Sequence, residues 1–266
     1  MSLNLKPLKK FGQNFLKDKK YLDLIVDSAE IGNKDVVLEI GPGSGFLTER
    51  ILKKSENLIL VEKDKRFIEY LNKKFFGYKK MSIINQDILE FSPPEFNLRK
   101  DSYTVIGNIP YYLTSRLFKV IFESWPAPKR VIFTIQKEVA QRIISIPPNM
   151  SILSVAIQYF AKPEIVSLVP KTAFSPVPKV DSAILKLTPR DIVESEEEKN
   201  KFFKVVRAGF AYKRKVLINT LAEKINLDKE NLESIFKNLH LSLNTRPQEL
   251  TIDNWTNLSR KIVVDN

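Results

Sequence analysis

Asp35-Val36-Val37-Leu38-Glu39-Ile40-Gly41-Pro42-Gly43-Ser44-Gly45 is the stretch that decides the fold. Its first six residues are apolar nearly throughout, the pattern of a strand buried on both faces of a parallel sheet. Glycines at 41, 43 and 45 follow at once, and 46–53 reads as a helix. Strand, glycine turn and helix in succession let a backbone approach a cofactor closely.

Outward toward the C-terminus, strands and helices alternate, which predicts an α/β sheet with parallel strands. A second strand over 58–61 ends in Glu62, about 20 residues beyond the glycine turn, where an acid accepts hydrogen bonds from ribose hydroxyls. The glycine spacing completes neither G-x-G-x-x-G nor a phosphate loop, since no Gly-Lys-Ser/Thr follows. A missing phosphate cradle points away from NAD and ATP. It points toward an adenosine cofactor without phosphates, S-adenosylmethionine. A helix over 65–74 leads to a third strand at 81–84 and then to Asp87. Alone, such an aspartate is usually a helix cap. At the strand end that follows Glu62, it reads as an acceptor for an adenine amino group.

The fourth strand carries Val105-Ile106-Gly107-Asn108-Ile109-Pro110-Tyr111-Tyr112, an apolar run that empties into an amide, a proline and two aromatics. Proline biases the residue before it away from the helical region, so Ile109 should be extended, its carbonyl directed at a ligand. Asn108 brings a second carbonyl oxygen beside it. Two acceptors next to the Tyr111 ring suit a flat nucleobase with an exocyclic NH2. Taken by itself, Asn-x-Pro-Tyr is more often a plain strand-end turn, so the rest of the chain must decide.

A helix at 115–123, a fifth strand at 130–135, a helix beginning near 137, a helical stretch at 151–160 and strands around 165–169 and 183–187 continue the pattern. Between the last two strands, Pro176 and Pro178 stiffen a loop that would present Phe174 as a fixed surface. A core phenylalanine is the rival expectation there. Before the glycine turn, 21–29 has helical spacing. Residues 1–20 are basic around Phe11-Gly12-Gln13-Asn14-Phe15-Leu16, an arm apolar enough to pack on something and able to cover a ligand. An acidic cluster within 190–200 marks a linker or a polar helix start, and beyond it the pattern is helical and includes the basic Lys213-Arg214-Lys215.

The 266 residues are 43% hydrophobic and 28% charged, enough for one large domain and a small one. Lys+Arg 43 against Asp+Glu 31 gives +12, a balance that favours polyanions such as nucleic acid, or an anionic membrane surface. Absence of cysteine excludes disulfides, Cys-ligated zinc, iron–sulfur clusters and a thiol nucleophile. With His240 the single histidine, a His-based triad or metal cluster is not expected, so no metal is assigned. The lysines at 6, 9 and 10 lack a following apolar core, and no apolar run reaches membrane-spanning length, so a soluble, cytoplasmic protein is expected.

Five segments taken in order, Phe11 through Leu16, Glu39 through Gly45, Asn108-Ile109-Pro110-Tyr111, Gln136-Lys137-Glu138-Val139-Ala140 and Phe174-x-Pro-x-Pro-Lys-Val-Asp-Ser182, resemble the ribosomal RNA adenine dimethyltransferase family. The similarity runs from about residue 9 to 189 and continues less tightly over 207–221. It implies an α/β fold: a seven-stranded, Rossmann-like class I methyltransferase sheet with a small all-helical C-terminal domain, divided as 1–190 (catalytic, S-adenosylmethionine-binding) and 191–266 (helical, RNA-binding). It implies transfer of two methyl groups to the exocyclic nitrogen of each of two adjacent adenosines in a hairpin near the 3′ end of small-subunit rRNA. Asn14, Leu16, Gly41, Glu62, Asp87 and Asn108 match cofactor-contacting positions, and Gln13 and Gly43, from the arm and the glycine turn, join them. Asn108, Ile109, Pro110 and Tyr111 match the target-base motif, with Phe174 opposite. Lys213, Arg214 and Lys215 are expected to touch RNA. At 146–150, Ile-Pro-Pro-Asn-Met stands where many relatives have a Tyr-Gly-containing turn. The implied partners are small-subunit rRNA and the immature 30S particle, met by a monomer. A large-subunit enzyme of the macrolide-resistance type and a non-catalytic RNA-binding assembly factor are the competing readings.

Overall fold

The computed structural model describes residues 13–212 and 214–262. Elements run in the order β1 (Phe15–Leu16), α1 (Lys19–Ser28), β2 (Val36–Ile40), α2 (Phe46–Ile51), β3 (Leu58–Glu62), α3 (Lys65–Lys74), β4 (Met81–Asn85) and β5 (Tyr103–Asn108). They continue through α4 (Thr114–Glu123), β6 (Arg130–Gln136), α5 (Lys137–Ile143), α6 (Ile152–Phe160), β7 (Ala161–Val169), β8 (Phe174–Ser175) and β9 (Ser182–Pro189). The last four are α7 (Glu196–Gly209), α8 (Leu217–Ile225), α9 (Lys229–Asn238) and α10 (Ile252–Lys261). Two compact units result: one holds the described residues up to 140 with 163–189, the other holds 141–162 with 190 onward. The segment 141–162, expected in the first domain, thus groups with the second unit.

The first unit is built on a seven-stranded sheet in the order β4-β3-β2-β5-β6-β9-β7. β2 pairs in parallel with β3 and β5, β3 pairs in parallel with β4, and β5 with β6. β9 is antiparallel to β6. Strand order therefore runs outward in opposite directions from β2 and β5. Such a reversal opens a crevice outside the carboxyl ends of the two strands, where α/β sheets bind ligands. Register places Ile40 beside Gly107, so the glycine turn and the Asn108 motif leave the sheet side by side.

The apolar face of α1 supplies Leu22, Ile25 and Val26 to a core that includes Val37, Leu58, Leu60, Ile106 and Ile132. Two features depart from the sequence expectation. β7 starts at Ala161 and contains Pro163, which an edge strand tolerates because its outer N–H groups need no partner. Second, the arm and the proline-rich loop form a two-stranded antiparallel sheet, with Phe15 opposite Ser175 and Leu16 opposite Phe174.

The second unit is helical with an aromatic interior. Tyr159 of α6 stacks on Phe202 of α7 at 4.3 Å between ring centroids, and Phe160 on Phe203 at 5.5 Å. Gly209 ends α7 where an added Cβ would lie 2.5 Å from Trp255 and 2.8 Å from Leu217, so only glycine admits α10 and α8 at this distance.

Candidate active site

One cavity collects the carboxyl ends of β2, β3, β4 and β5, with the arm and Phe174 of β8 completing its lining. Gln13, Asn14, Gly41, Gly43, Glu62, Asp87, Asn108, Ile109, Pro110, Tyr111 and Phe174 all line it. These residues come from six separate stretches of chain. Leu16 does not line it: it is 3% exposed, belongs to the core, and touches a smaller adjacent cavity together with Glu39 and Pro42.

The glycine turn is fixed to the acid of the next strand. Gly43 has φ +51°, and a Cβ there would lie 2.6 Å from the Phe15 ring, so the arm packs directly on the turn. Its N–H donates to Glu62 Oε2 at 3.1 Å, while the Asp64 N–H donates to Oε1 at 2.8 Å. Glu62 is 7% exposed. Burial pushes its carboxyl above the usual range, although the Asp64 and Gly43 N–H groups pull the other way. The Lys63 N–H adds a third such bond, and since an ionised carboxylate offers about four acceptor positions, capacity remains for a ribose hydroxyl.

Beneath this acid, Glu39 accepts from Thr48 Oγ1 at 2.7 Å and is fully buried. Burial, opposed by that hydroxyl and reinforced by the Glu62 charge, pushes it up to about 8. Both buried carboxyls are thus pushed toward their neutral forms, Glu39 chiefly by its burial. Asp87 is arranged oppositely. Burial acts to raise its carboxyl, but the Lys63 ammonium at 2.6 Å and the Leu89 N–H at 3.1 Å outweigh it and hold the group below its ordinary range. Lys63 was not predicted as a site residue. Its position next to Glu62 is the one sequence signal that pointed to it.

On the opposite wall, Asn108 Nδ2 donates to the Asn14 carbonyl at 2.7 Å. That bond fixes which way the amide faces and leaves Oδ1 as its available acceptor. The Ile109 N–H donates to the Thr134 carbonyl at 3.1 Å, and the Leu113 N–H to the Pro110 carbonyl at 2.9 Å, so the motif is pinned on both sides of the proline. Tyr111 shares a 2.9 Å hydrogen bond with Ser182 Oγ, which anchors its ring. Phe174 reaches the cavity but is 4% exposed and packs with Leu16, Val169 and Ile184. The exposed aromatic face expected of it is taken up by the core. Sequence reading did not single out Val61, Ile88 and Leu89, which add apolar lining to the cavity, or Tyr112 and Arg116, which also line it.

Of the basic triplet, Lys213 lies outside the described residues. Lys215 sits 4.0 Å over the Tyr212 ring and 3.5 Å from Glu223, and Arg214 is exposed. Among the described residues no helix is long and apolar enough to cross a membrane, and no group of three His, Asp or Glu could hold a metal ion.

A glycine turn, a buried acid one strand over and an amide-proline-aromatic motif at the switch point of this sheet order define a class I methyltransferase. Comparisons with known proteins agree. The family model described as ribosomal RNA adenine dimethylase matches residues 4–263. Ribosomal RNA small subunit methyltransferase A of Dehalococcoides mccartyi is 36% identical over 255 residues, spanning 96% of this chain and 88% of its own. Among solved structures, 23S rRNA methyltransferase ErmE has a TM-score of 0.77 at 26% identity, covering 93% of this chain and 99% of that one. A dimethyladenosine transferase from Plasmodium falciparum has a TM-score of 0.76 at 25% identity, covering 92% and 95%. The chain belongs to the ribosomal RNA adenine dimethylase family and is an S-adenosylmethionine-dependent rRNA adenine dimethyltransferase.

Proposed function

We propose that this enzyme converts two adjacent adenosines in the 3′-terminal hairpin of small-subunit rRNA to N6,N6-dimethyladenosine, acting as a cytoplasmic monomer on an immature 30S particle. The observation that carries the chemistry is the Asn108 amide, turned by Asn14 so that Oδ1 is its free acceptor beside Ile109, Pro110 and Tyr111. Shape does not choose the subunit, because the 23S enzyme superposes as well as the dimethyladenosine transferase. Sequence supports the small-subunit target: relatives named ribosomal RNA small subunit methyltransferase A are 36–40% identical over nearly the whole chain.

In this reading, Glu62 accepts from a ribose hydroxyl of the cofactor, Asp87 accepts from its adenine amino group, and Gln13, Asn14, Gly41 and Gly43 close over it. S-adenosylmethionine supplies an electrophilic methyl group. Asn108 Oδ1 and the Ile109 carbonyl accept the two N–H bonds of the target amine. That pulls the nitrogen lone pair out of conjugation with the ring and aims it at the methyl carbon. Alignment then does most of the work, and no strong base is required, since the methylated nitrogen is acidic enough to release its proton to water. Tyr111 stacks on the flipped base, and Phe174 backs the slot. The basic segment around Arg214 contributes phosphate contacts.

Mapping methylated adenosines by mass after incubation with S-adenosylmethionine and separate 30S or 50S particles tests the target. Dimethylation of neighbouring adenosines near the 3′ end of the 30S RNA is expected. Label confined to the 50S particle would overturn the small-subunit reading in favour of the macrolide-resistance type. A chain that binds RNA without transferring methyl groups would return it to the assembly factors.

A further inference from the structure

Lys73-Lys74-Phe75-Phe76-Gly77-Tyr78-Lys79-Lys80 joins α3 to β4 and takes no part in the cavity. Its aromatics divide sharply. Phe75 is 6% exposed and packs with Phe67 and Leu71, whereas Phe76 is 91% exposed and Tyr78 46%. The turn is nonetheless held in place. Tyr78 donates its N–H to the Phe75 carbonyl and sets its ring edge-on to Phe75 at 6.2 Å, and the Met81 N–H returns to the Tyr78 carbonyl. Phe76 is thus presented outward by an ordered turn.

The lysines divide too. Lys74 is committed to the fold, paired with Glu49 at 2.8 Å and donating to the Ser44 carbonyl. Lys80 has only a 3.9 Å approach to Glu56. Lys73 and Lys79 are exposed and have no ion pair among the described residues. Glu69 is the acid that shares the shallow depression beside Phe76, with Asn72 and Lys73. Lysines flanking an edge strand such as β4 also guard it against pairing with other chains, which would account for Lys79 and Lys80. That does not account for a phenylalanine held out beside them. Aromatic faces among unpaired cations are what sequence-tolerant binders of single-stranded nucleic acid use.

We propose that this turn is a second RNA-contact surface, on which an unpaired nucleotide stacks on Phe76 while Lys73 and Lys79 take the adjoining phosphates. It rests on the reading of the chain as an rRNA enzyme and adds a contact remote from the reacting base. The ten residues of α3 place the turn about 15 Å along the helix from Asp64, which caps α3 beside the Glu62 strand end. RNA bound here would be a flanking segment and not the target nucleotide.

Binding of the full-length chain to a short oligoadenylate, followed across a salt series, separates the components. Phe76→Ser should weaken binding roughly tenfold while leaving the salt slope unchanged, since base stacking carries no counterion release. Lys73→Ala with Lys79→Ala should flatten the log–log slope by about 1.4, two single-strand phosphate contacts. Both variants should keep the cofactor affinity of the parent and lose methylation of immature 30S particles at low enzyme concentration. Unchanged oligoadenylate affinity in both variants, with the parent methylating 30S normally, overturns the proposal. So does a parent dimer that Phe76→Ser converts to monomer without effect on RNA binding, which assigns the face to protein contact. A parent that binds oligoadenylate through Phe76 but never methylates 30S particles leaves this surface standing and removes the assigned target instead.

Discussion

The two walls of the cavity are built by different rules. On the glycine-turn side nearly every polar group is held twice. Glu62 is gripped by the Gly43 and Asp64 N–H groups, Asp87 by Lys63 and Leu89, and Asp64 by Arg66 and Gln13. Across the cavity, Asn108 and Tyr111 each rest on one side-chain hydrogen bond, and Tyr112 is 63% exposed. A wall braced in advance suits a small ligand that always arrives in one shape, because little ordering remains to oppose binding. The sparser wall suits a base delivered by a macromolecule whose own fold completes the surface.

The largest expected effect tests whether Phe174 belongs to either wall. Its burial among Leu16, Val169 and Ile184 predicts that Phe174→Ala lowers fold stability by about 3–5 kcal/mol, measured by denaturant melts. A variant that melts like the parent but fails in single-turnover methyl transfer would move Phe174 to the base side as a stacking face.

Next in size, Glu62→Ala should weaken S-adenosylmethionine binding by about 1–3 kcal/mol in calorimetry, and an unchanged affinity would remove Glu62 from the site. The same acid sets a pH dependence. Its carboxyl is raised in the free protein, and the ionised form is the better acceptor for a ribose hydroxyl, so affinity should fall as pH drops through that raised value. Glu62→Gln should flatten the profile.

Tyr111→Ala sharpens the contrast from the other wall. It should cost about 1–3 kcal/mol in kcat/KM for RNA while leaving cofactor affinity in place. A matching loss of cofactor affinity would show that the walls are not independent. The smallest change is expected from Lys213, Arg214 and Lys215 replaced together by alanine. With Lys215 already engaged by Tyr212 and Glu223, the salt slope of RNA binding should fall by less than three contacts' worth, about 0.7 each for a single strand. A full three-contact drop would show that those partners let go.

Much of this was legible in the sequence because long apolar strands and a glycine turn carry their own periodicity. Val36–Ile40 and Leu58–Glu62 could hardly be read otherwise, and once they are placed, Glu62 falls at a strand end. β1 and β8 were not legible, since two-residue strands have no period and their partners lie far apart in the chain. With that pairing goes the burial of Leu16 and Phe174, both of which join the core. A phenylalanine opposite a leucine in a strand pair packs inward, and only the register reveals it. The grouping of 141–162 with the second unit was hidden for a similar reason, because α6 is apolar enough to pack on either partner. What identifies its place is the stack of Tyr159 on Phe202.

The pairing of β1 with β8 also sets an order of events for a chain leaving the ribosome. The glycine turn and both acids have emerged with residue 87, but the cavity lining also needs Phe174, and the arm needs β8 as its pairing partner. Protein synthesis adds roughly 5–20 residues per second, so the open half-site waits several seconds for its other edge. Nascent chains arrested before residue 174 are predicted to retain no S-adenosylmethionine, and chains arrested far enough beyond 189 to expose β9 to retain it, as filter binding of stalled complexes would show. The enzyme would then become competent only after the last strand of its sheet has left the tunnel, late in the making of the molecule.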